Sequence, residues 1–150
     1  MNDKPDSISQ RIKDHGLRAT AARVAILEWL ATDRRHPTAE LVHESLRGRF
    51  PTLSLSTVYA TLETLIREGL IRRVAPQSGR LRVDGTPLDH DHAICRMCGG
   101  IHDVARDLIQ RPVAPDRLPS GLQVVNLHIE YEVLCPPCAA GTTPPPQGAN

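Results

Sequence analysis

The sequence predicts an α+β protein in two parts, a helical N-terminal half that ends in a basic β-hairpin and a small C-terminal α/β domain. Three observations support this fold class. Short helices with polar cap residues fill residues 7–69, and two arginine-rich strands follow them. The four cysteines of the chain form two Cys-x-x-Cys pairs in the second half. Between those pairs, apolar and polar residues alternate as they do along β-strands.

Composition limits the class of protein and its partners. A chain of 150 residues suffices for one ordinary domain or two small ones. The formal charge is only +1, but residues 1–83 carry 14 Lys and Arg against 9 Asp and Glu, and residues 84–150 carry 4 against 8. A basic half joined to an acidic half is typical of a polyanion-binding module fused to a cation-binding one, although chance asymmetry gives the same numbers.

The chain shows no pattern of a membrane or exported protein. No apolar run approaches the roughly 18 residues of a membrane span. Residues 1–10 are polar and lack the apolar core of a signal peptide. We therefore expect a cytoplasmic protein with no membrane partner.

Start and stop signals place four helices in the first half. The expected N-caps are Ser7, Thr20, Thr38 and Ser54. The fourth helix has the clearest pattern, because Val58 begins an apolar series at i, i+4, i+7 and i+8, and Gly69 ends it. Its opposite face is small and hydroxyl-rich, which suits contact with base edges. That face carries Ser56, Thr57, Tyr59 and Thr61.

A basic β-hairpin is expected directly after the fourth helix. Residues 70–75 and 80–83 have strand character, and a Pro-Gln-Ser-Gly turn joins them. This order predicts a winged helix-turn-helix, whose fourth helix enters the major groove of double-stranded DNA while the hairpin lies along phosphates. The candidate base contact is Tyr59, and the candidate phosphate contacts are Arg72, Arg73, Arg80 and Arg82, followed by Arg18 and Arg23. The competing interpretation is a helical bundle with a solvated basic hairpin.

The domain boundaries follow from these patterns. We expect a winged-helix domain over 1–83, a hinge over 84–88, a metal-binding dimerisation domain over 89–138 and a disordered tail over 139–150. Within the second domain, alternation predicts a long strand inside 122–134.

The cysteine pairs predict a structural zinc site made by Cys95, Cys98, Cys135 and Cys138. Four thiolates suit a tetrahedral, closed Zn²⁺ site with no position open for a substrate. A metal at such a site would cross-link the start of the second domain to its last strand. A small domain with few aromatic residues needs such a cross-link for its stability. A redox-active dithiol pair and idle surface cysteines are the alternatives.

A second set of candidate ligands contains nitrogen and oxygen donors. His90 and His92 are two residues apart, so on a strand both project from one face. Imidazole with carboxylate favours Fe²⁺ or Mn²⁺ over softer metals. The full candidate set is His36, Asp84, His90, His92 and Asp103. The competing interpretation for any one of these histidines is a solvated surface residue.

Several motifs together resemble the ferric uptake regulator (Fur) superfamily. They are His36-Pro-Thr-Ala39, Leu55-Ser-Thr-Val-Tyr59, Glu68-Gly-Leu-Ile71 and His90-Asp-His-Ala-Ile-Cys95-x-x-Cys98-Gly99, within a match over about residues 8–138. The resemblance implies a winged helix that binds palindromic operators, a C-terminal domain that forms a homodimer, and a hinge metal that controls DNA affinity.

Within the superfamily the chain most resembles the peroxide-responsive PerR branch. The regulatory site of that branch has three histidines and two aspartates, which match the candidate set above, and Asp103 stands where iron sensors usually have Glu. The resemblance implies that Fe²⁺ in this site reacts with peroxide, that His36 and His90 are oxidised, and that the repressor then releases DNA. It also implies that Mn²⁺ supports DNA binding without that chemistry.

Other functions remain open from the residues alone. Within the same superfamily, the alternative is an iron, manganese or zinc homeostasis repressor without peroxide chemistry. A metallohydrolase and a thiol oxidoreductase are alternatives from a different class. One further site of some relatives is expected to be missing, because Leu127 occupies the place of its histidine and His128 is only adjacent.

Overall fold

The computed structural model describes residues 7–33, 35–75, 79–86, 90–108, 110, 113, 115–125, 127, 129–142 and 144. These residues fall into two compact units, one up to Thr86 and the other from His90 onward. None of the described helices is long and apolar enough to cross a membrane. His128 lies outside the described residues.

Four helices form the first unit. They are α1 (Ile8–Asp14), α2 (Ala21–Thr32), α3 (Ala39–Leu46) and α4 (Leu55–Arg67). Each begins after a Ser or Thr whose hydroxyl accepts an amide N–H of the first turn, at the four predicted N-caps. The core that they enclose is aliphatic, and its fully buried members include Ile12, Ile26, Leu27, Leu30, Val42, Val58, Leu62, Leu65 and Val83.

An antiparallel hairpin completes the first unit. Gly69 ends α4 at a φ of +74, a conformation that costs glycine little, and β1 (Arg72–Val74) then pairs with β2 (Arg82–Asp84). A further bridge joins Arg82 to Thr38, so the start of α3 lies against β2. Helices followed by this hairpin confirm the predicted winged-helix arrangement.

Gly85 follows β2 at a close approach of two backbones. A Cβ on this residue would lie 2.6 Å from the Cβ of Leu30, well inside contact distance. Glycine is therefore required where the chain leaves the hairpin and passes α2.

The second unit is a three-stranded sheet with a short helix. Its strands β3 (His90–Cys95), β4 (Ile101–Ala105) and β5 (Glu130–Val133) lie in the order β4–β3–β5. β3 is antiparallel to β4 and parallel to β5, and α5 (Pro136–Ala139) follows β5. The α+β fold class is thus confirmed.

Two sequence predictions in this unit are corrected. Among the described residues of 122–134, the expected strand covers Glu130–Val133, whereas the carbonyl of Leu122 and the amide of Val124 bond to Leu118 and Asp116 in a local ladder. The expected disordered tail is ordered at its start, since the amide of Thr142 donates to the carbonyl of Pro137 at 2.8 Å. Residues 143 and 145–150 lie outside the described residues.

Candidate metal centres and nucleic-acid surface

The four cysteines meet at one end of the sheet. Parallel strands finish at the same edge, so the end of β3 at Cys95 lies beside Val133, and Cys135 follows immediately. The four Sγ atoms all lie within 4.8 Å of one another, and all four residues are buried. The structure thus brings the two predicted pairs together.

The sulfur geometry fits zinc better than a disulfide. None of the four cysteines is in a disulfide, and the Sγ atoms of Cys98 and Cys135 are 3.8 Å apart. Four sulfurs about 2.3 Å from a tetrahedral Zn²⁺ are separated by about 3.8 Å, whereas a disulfide needs about 2.05 Å. Hydrogen bonds from backbone amides, that of Cys135 first, lower the pKa of the Cys95 thiol to about 6. The thiolate that zinc requires is therefore favoured at neutral pH.

A nitrogen and oxygen cluster lies on one face of β3 and β4. His90 and His92 project from the same face, and Asp103 is the direct register partner of His92 on β4. The Nε2 atoms of the two histidines are 3.1 Å apart, and Nε2 of His90 is 3.4 Å from Oδ1 of Asp103. Both imidazoles are buried, and their rings meet edge to face at 4.7 Å. Two imidazole nitrogens on buried rings and one carboxylate oxygen, this close together, suit one divalent cation.

His36 belongs to the first unit and has an unusual backbone. It is buried, and its φ of +53 lies in the left-handed region that residues with a Cβ rarely adopt. Its carbonyl oxygen accepts a hydrogen bond from Nε of Arg82 at 3.0 Å. A buried arginine thus holds the main chain at this histidine.

Asp84, a predicted metal ligand, has two hydrogen-bond partners within the first unit. Its Oδ2 accepts from the guanidinium of Arg72 at 2.8 Å, and its Oδ1 accepts from the amide of Thr86 at 2.8 Å. Arg72 and Asp84 are register partners across the hairpin, which explains the pair. In this arrangement Asp84 stabilises the hairpin, and a metal that bound Oδ2 would compete with Arg72 for that oxygen.

The exposed side of α4 forms a shallow hydroxyl-lined groove. Its lining residues are Arg23, Ser56, Thr57, Ala60, Thr61 and Thr64. Ser56 and Thr57 are exposed, whereas Thr61 is buried beneath them. The guanidinium of Arg23 donates to the carbonyl oxygen of Arg18 at 3.0 Å, and Arg18 is exposed. Hydroxyl donors and acceptors with a cation at the edge suit a nucleic-acid surface.

The hairpin arginines divide into two kinds. Arg73 and Arg80 are exposed and suit phosphate contact. The prediction for Arg82 is wrong, because this side chain is buried and donates to the carbonyl oxygens of His36 and Arg35. Burial lowers its pKa, with a smaller contribution from Arg80. Arg72 is a weak candidate because Asp84 already neutralises its charge.

Two contacts between polar side chains of different elements were not predicted from the sequence. The hydroxyl of Tyr59 donates to Oε1 of Glu40 at 2.6 Å, which joins α4 to α3. Asp91 lies on the face of β3 opposite the histidines, with a side chain only 1% exposed, and its Oδ1 is 3.8 Å from Nε of Arg106. No local sequence pattern predicts either pair, because the partners are brought together by tertiary packing.

Known proteins match the chain along most of its length. The peroxide operon regulator of Bacillus subtilis (strain 168) is 33% identical over 133 residues, which are 87% of this chain and 90% of that protein. The crystal structure of the Campylobacter jejuni peroxide stress regulator is 26% identical, with a TM-score of 0.61 over 84% of this chain and 94% of that one. The Helicobacter pylori ferric uptake regulator Fur, at 23% identity, shares the fold with a TM-score of 0.66 over 89% of this chain and 92% of that one.

These matches confirm the resemblance to the Fur superfamily and to its peroxide-responsive branch. The profile described as the ferric uptake regulator family matches residues 14–132. Four helices, a basic hairpin and a sheet with two clusters of metal-ligand side chains are present in one chain of that length. The chain therefore belongs to the ferric uptake regulator family of metal-dependent transcriptional regulators.

Proposed function

We propose that this protein is a metal-dependent DNA-binding repressor that responds to peroxide. The observation that carries the proposal is the cluster of buried His90 and His92 with Asp103, in a chain whose relatives include peroxide regulators. A repressor that binds DNA acts in the cytoplasm, and its function is binding rather than enzymatic turnover.

The two metal sites have different roles in this proposal. Cys95, Cys98, Cys135 and Cys138 hold a structural Zn²⁺, because four buried thiols at tetrahedral spacing leave no position for a substrate or a reactive ligand. His90, His92 and Asp103, with His36 from the first unit, hold the regulatory Fe²⁺ or Mn²⁺. Asp84 is the proposed fifth ligand, and its carboxylate also pairs with Arg72.

The regulatory site has the composition that peroxide sensing requires. Fe²⁺ bound there would be an electron donor for peroxide beside oxidisable imidazole rings, whereas Mn²⁺ would take the same ligands without that chemistry. His36 and His90 are the proposed sites of oxidation. An oxidised imidazole is a poorer ligand, so the site weakens and the repressor releases its operator.

The first unit supplies the DNA contacts. The hydroxyl-rich side of α4 enters the major groove and brings the groove residues Ser56, Thr57 and Thr61 to the DNA. Tyr59, on the same helix, is the proposed base contact. Arg73 and Arg80 contact phosphates from the hairpin, and Arg18 and Arg23 contact them from the helical side. Because these contacts displace counterions from DNA, affinity falls steeply with salt concentration.

The second unit forms the homodimer. Among its described residues, Val113 and Val125 are each 94% exposed and Leu122 is 61% exposed, so these apolar side chains are available to a second copy. Burial of these side chains against a second copy would present two α4 helices to the two halves of a palindromic operator.

The test loads the protein anaerobically with Fe²⁺ or Mn²⁺, adds a low dose of peroxide, and maps the mass of each peptide while DNA binding is followed in parallel. We expect one added oxygen on the His36 or His90 peptide with iron only, together with loss of DNA binding. His102 is the internal control, because it is exposed on β4 and reports oxidant that has escaped into solution.

The alternative is a homeostasis repressor of the same family without peroxide chemistry. Intact histidines with both metals, while DNA binding still depends on metal, would favour that alternative. Oxidation of His102 to the same extent as His90 would instead indicate damage by free oxidant rather than sensing.

A further inference from the structure

A hydrogen bond joins the candidate base-reading residue to an acidic side chain on the neighbouring helix. Tyr59 lies in the second turn of α4, and its hydroxyl is 2.6 Å from Oε1 of Glu40 in the first turn of α3. Glu40 is exposed and Tyr59 is half-buried, so the pair lies at the surface of the first unit on the helix that carries the hydroxyl groove.

The direction of this hydrogen bond is fixed by the acidities of the two groups. The bond to Tyr59 lowers the pKa of Glu40, and the bond to Glu40 raises the pKa of Tyr59. At neutral pH the carboxylate is therefore ionised and can only accept, while the phenol keeps its proton and donates it. A tyrosine hydroxyl has a single proton, so only its acceptor lone pairs remain for another partner.

We propose that Glu40 is a specificity-determining residue that fixes Tyr59 as a hydrogen-bond acceptor towards DNA, so that Tyr59 reads an exocyclic amine of adenine or cytosine in the major groove. The inference rests on the proposed DNA-binding function. Adenine N6 and cytosine N4 are the donors that bases present in that groove, whereas guanine N7 and O6, thymine O4 and phosphate oxygens need a donor. Tyr59 held by Glu40 cannot satisfy any of the latter group.

The surroundings of the pair make an acidic residue acceptable at a DNA surface. Arg80 of the hairpin lies close enough to lower the pKa of both Glu40 and Tyr59 by its charge. Its guanidinium offsets the repulsion between the Glu40 carboxylate and nearby phosphates. Glu40 can thus stay ionised, and keep the Tyr59 proton, while DNA is bound.

The experiment begins with selection of binding sites by the metal-loaded protein from a random pool of duplexes. The same selection with Tyr59→Phe identifies the base pair whose preference depends on the hydroxyl. That pair has one exocyclic amine in the major groove whichever base it contains, and the amine is then removed with 2′-deoxynebularine in place of adenine or a 2-pyrimidinone nucleoside in place of cytosine.

We expect the wild type to lose affinity about five- to tenfold when the amine is removed, the magnitude of one hydrogen bond. Tyr59→Phe should not respond to the removal. Glu40→Gln should relax the preference at this base pair, because an amide can donate as well as accept and no longer fixes the hydroxyl proton. The matched control is Glu44→Gln, which removes a charge from an exposed position of α3 that pairs with Arg47, and it should leave the preference intact.

Three results would overturn the inference. The affinity of the wild type could be unchanged by removal of the amine, which would mean that Tyr59 contacts DNA only through its aromatic ring. Removal of a base acceptor at the same pair could weaken binding instead, which would show that Tyr59 donates. Glu44→Gln could relax the preference as much as Glu40→Gln does. If selection enriched no sequence with any metal, the proposed DNA-binding function itself would be contradicted. Circular dichroism and measurement of zinc content verify that each variant is folded.

Discussion

Nε of Arg82 donates to the carbonyl oxygen of His36 at 3.0 Å, although the two residues are 46 positions apart in the chain. The bond lies beside the bridge that joins Arg82 to Thr38, and the histidine is held in a left-handed backbone conformation. A residue predicted to contact DNA thus supports the backbone of a proposed metal ligand instead.

The first prediction concerns Arg82→Met. We expect the free energy of unfolding of the first unit to fall by about 2 kcal/mol, because a buried hydrogen bond from a charged donor is lost and the His36 carbonyl loses its partner. Affinity for the regulatory metal should fall as well, since the His36 backbone is released. Chemical denaturation and metal titration measure the two effects. Arg80→Met, at an exposed position of the same hairpin, is the control and should weaken only DNA binding; equal destabilisation by both variants would contradict the assignment.

The second prediction concerns the pair of Arg72 and Asp84. If the regulatory metal binds Oδ2 of Asp84, it competes with Arg72 for that oxygen, so Arg72→Gln should tighten binding of the regulatory metal by up to about fivefold, the value of a partly exposed pair. Isothermal titration with Mn²⁺ measures the change. Arg73→Gln, the exposed neighbour on β1, should leave the affinity unchanged. Weaker binding by Arg72→Gln would mean that Asp84 serves the hairpin alone.

The third prediction concerns titration of Tyr59. Its pKa is raised by Glu40, so the hydrogen bond stabilises the fold below the ordinary tyrosine pKa of 10.0 and is lost as pH rises through the higher folded value. The pKa of Glu40 is lowered, so at the acidic side the bond persists below the ordinary value of 4.5 and is lost as pH falls through the folded value. Phenolate absorbance should show Tyr59 ionising later than in Glu40→Gln. Identical phenolate curves for the two proteins would show that the bond is absent in solution.

The fourth prediction concerns the cysteine cluster. Cys95→Ser should abolish stoichiometric zinc and disorder the second unit, because this sheet has few buried apolar residues beside the four cysteines. The helical signal of the first unit should persist in circular dichroism, since that unit has its own core. Met97→Ser, exposed within the same Cys-x-x-Cys segment, is the control. Retention of zinc by Cys95→Ser would contradict the assignment of four thiolate ligands to the zinc site.

Local chemistry explains why much of the first unit was predictable. The N-caps at Ser7, Thr20, Thr38 and Ser54 need only the residues of one helical turn, and the stop at Gly69 needs only one positive φ. His90 and His92 were predictable for the same reason, because the two-residue period of a strand places them on one face.

The partners of Arg72, Arg82 and Glu40 could not be predicted because each is chosen by contacts between elements. The bridge between Thr38 and Arg82 turns that arginine into the interior, and the packing of α3 on α4 brings Glu40 to Tyr59. The prediction of a long strand before Leu134 was wrong for a similar reason, since alternation of apolar and polar residues does not reveal which backbone a segment pairs with.

The parallel pairing of β3 with β5 has a kinetic consequence. β3 and β4 are neighbours in the chain and can pair quickly, but β5 must be brought back across the 36 residues that separate Cys98 from Cys135. Closing a loop of that length costs conformational entropy, and only contacts between its two ends offset this cost. An ion bound by both cysteine pairs makes those contacts in a single step. The supply of zinc therefore sets the rate at which the second unit folds as well as its final stability.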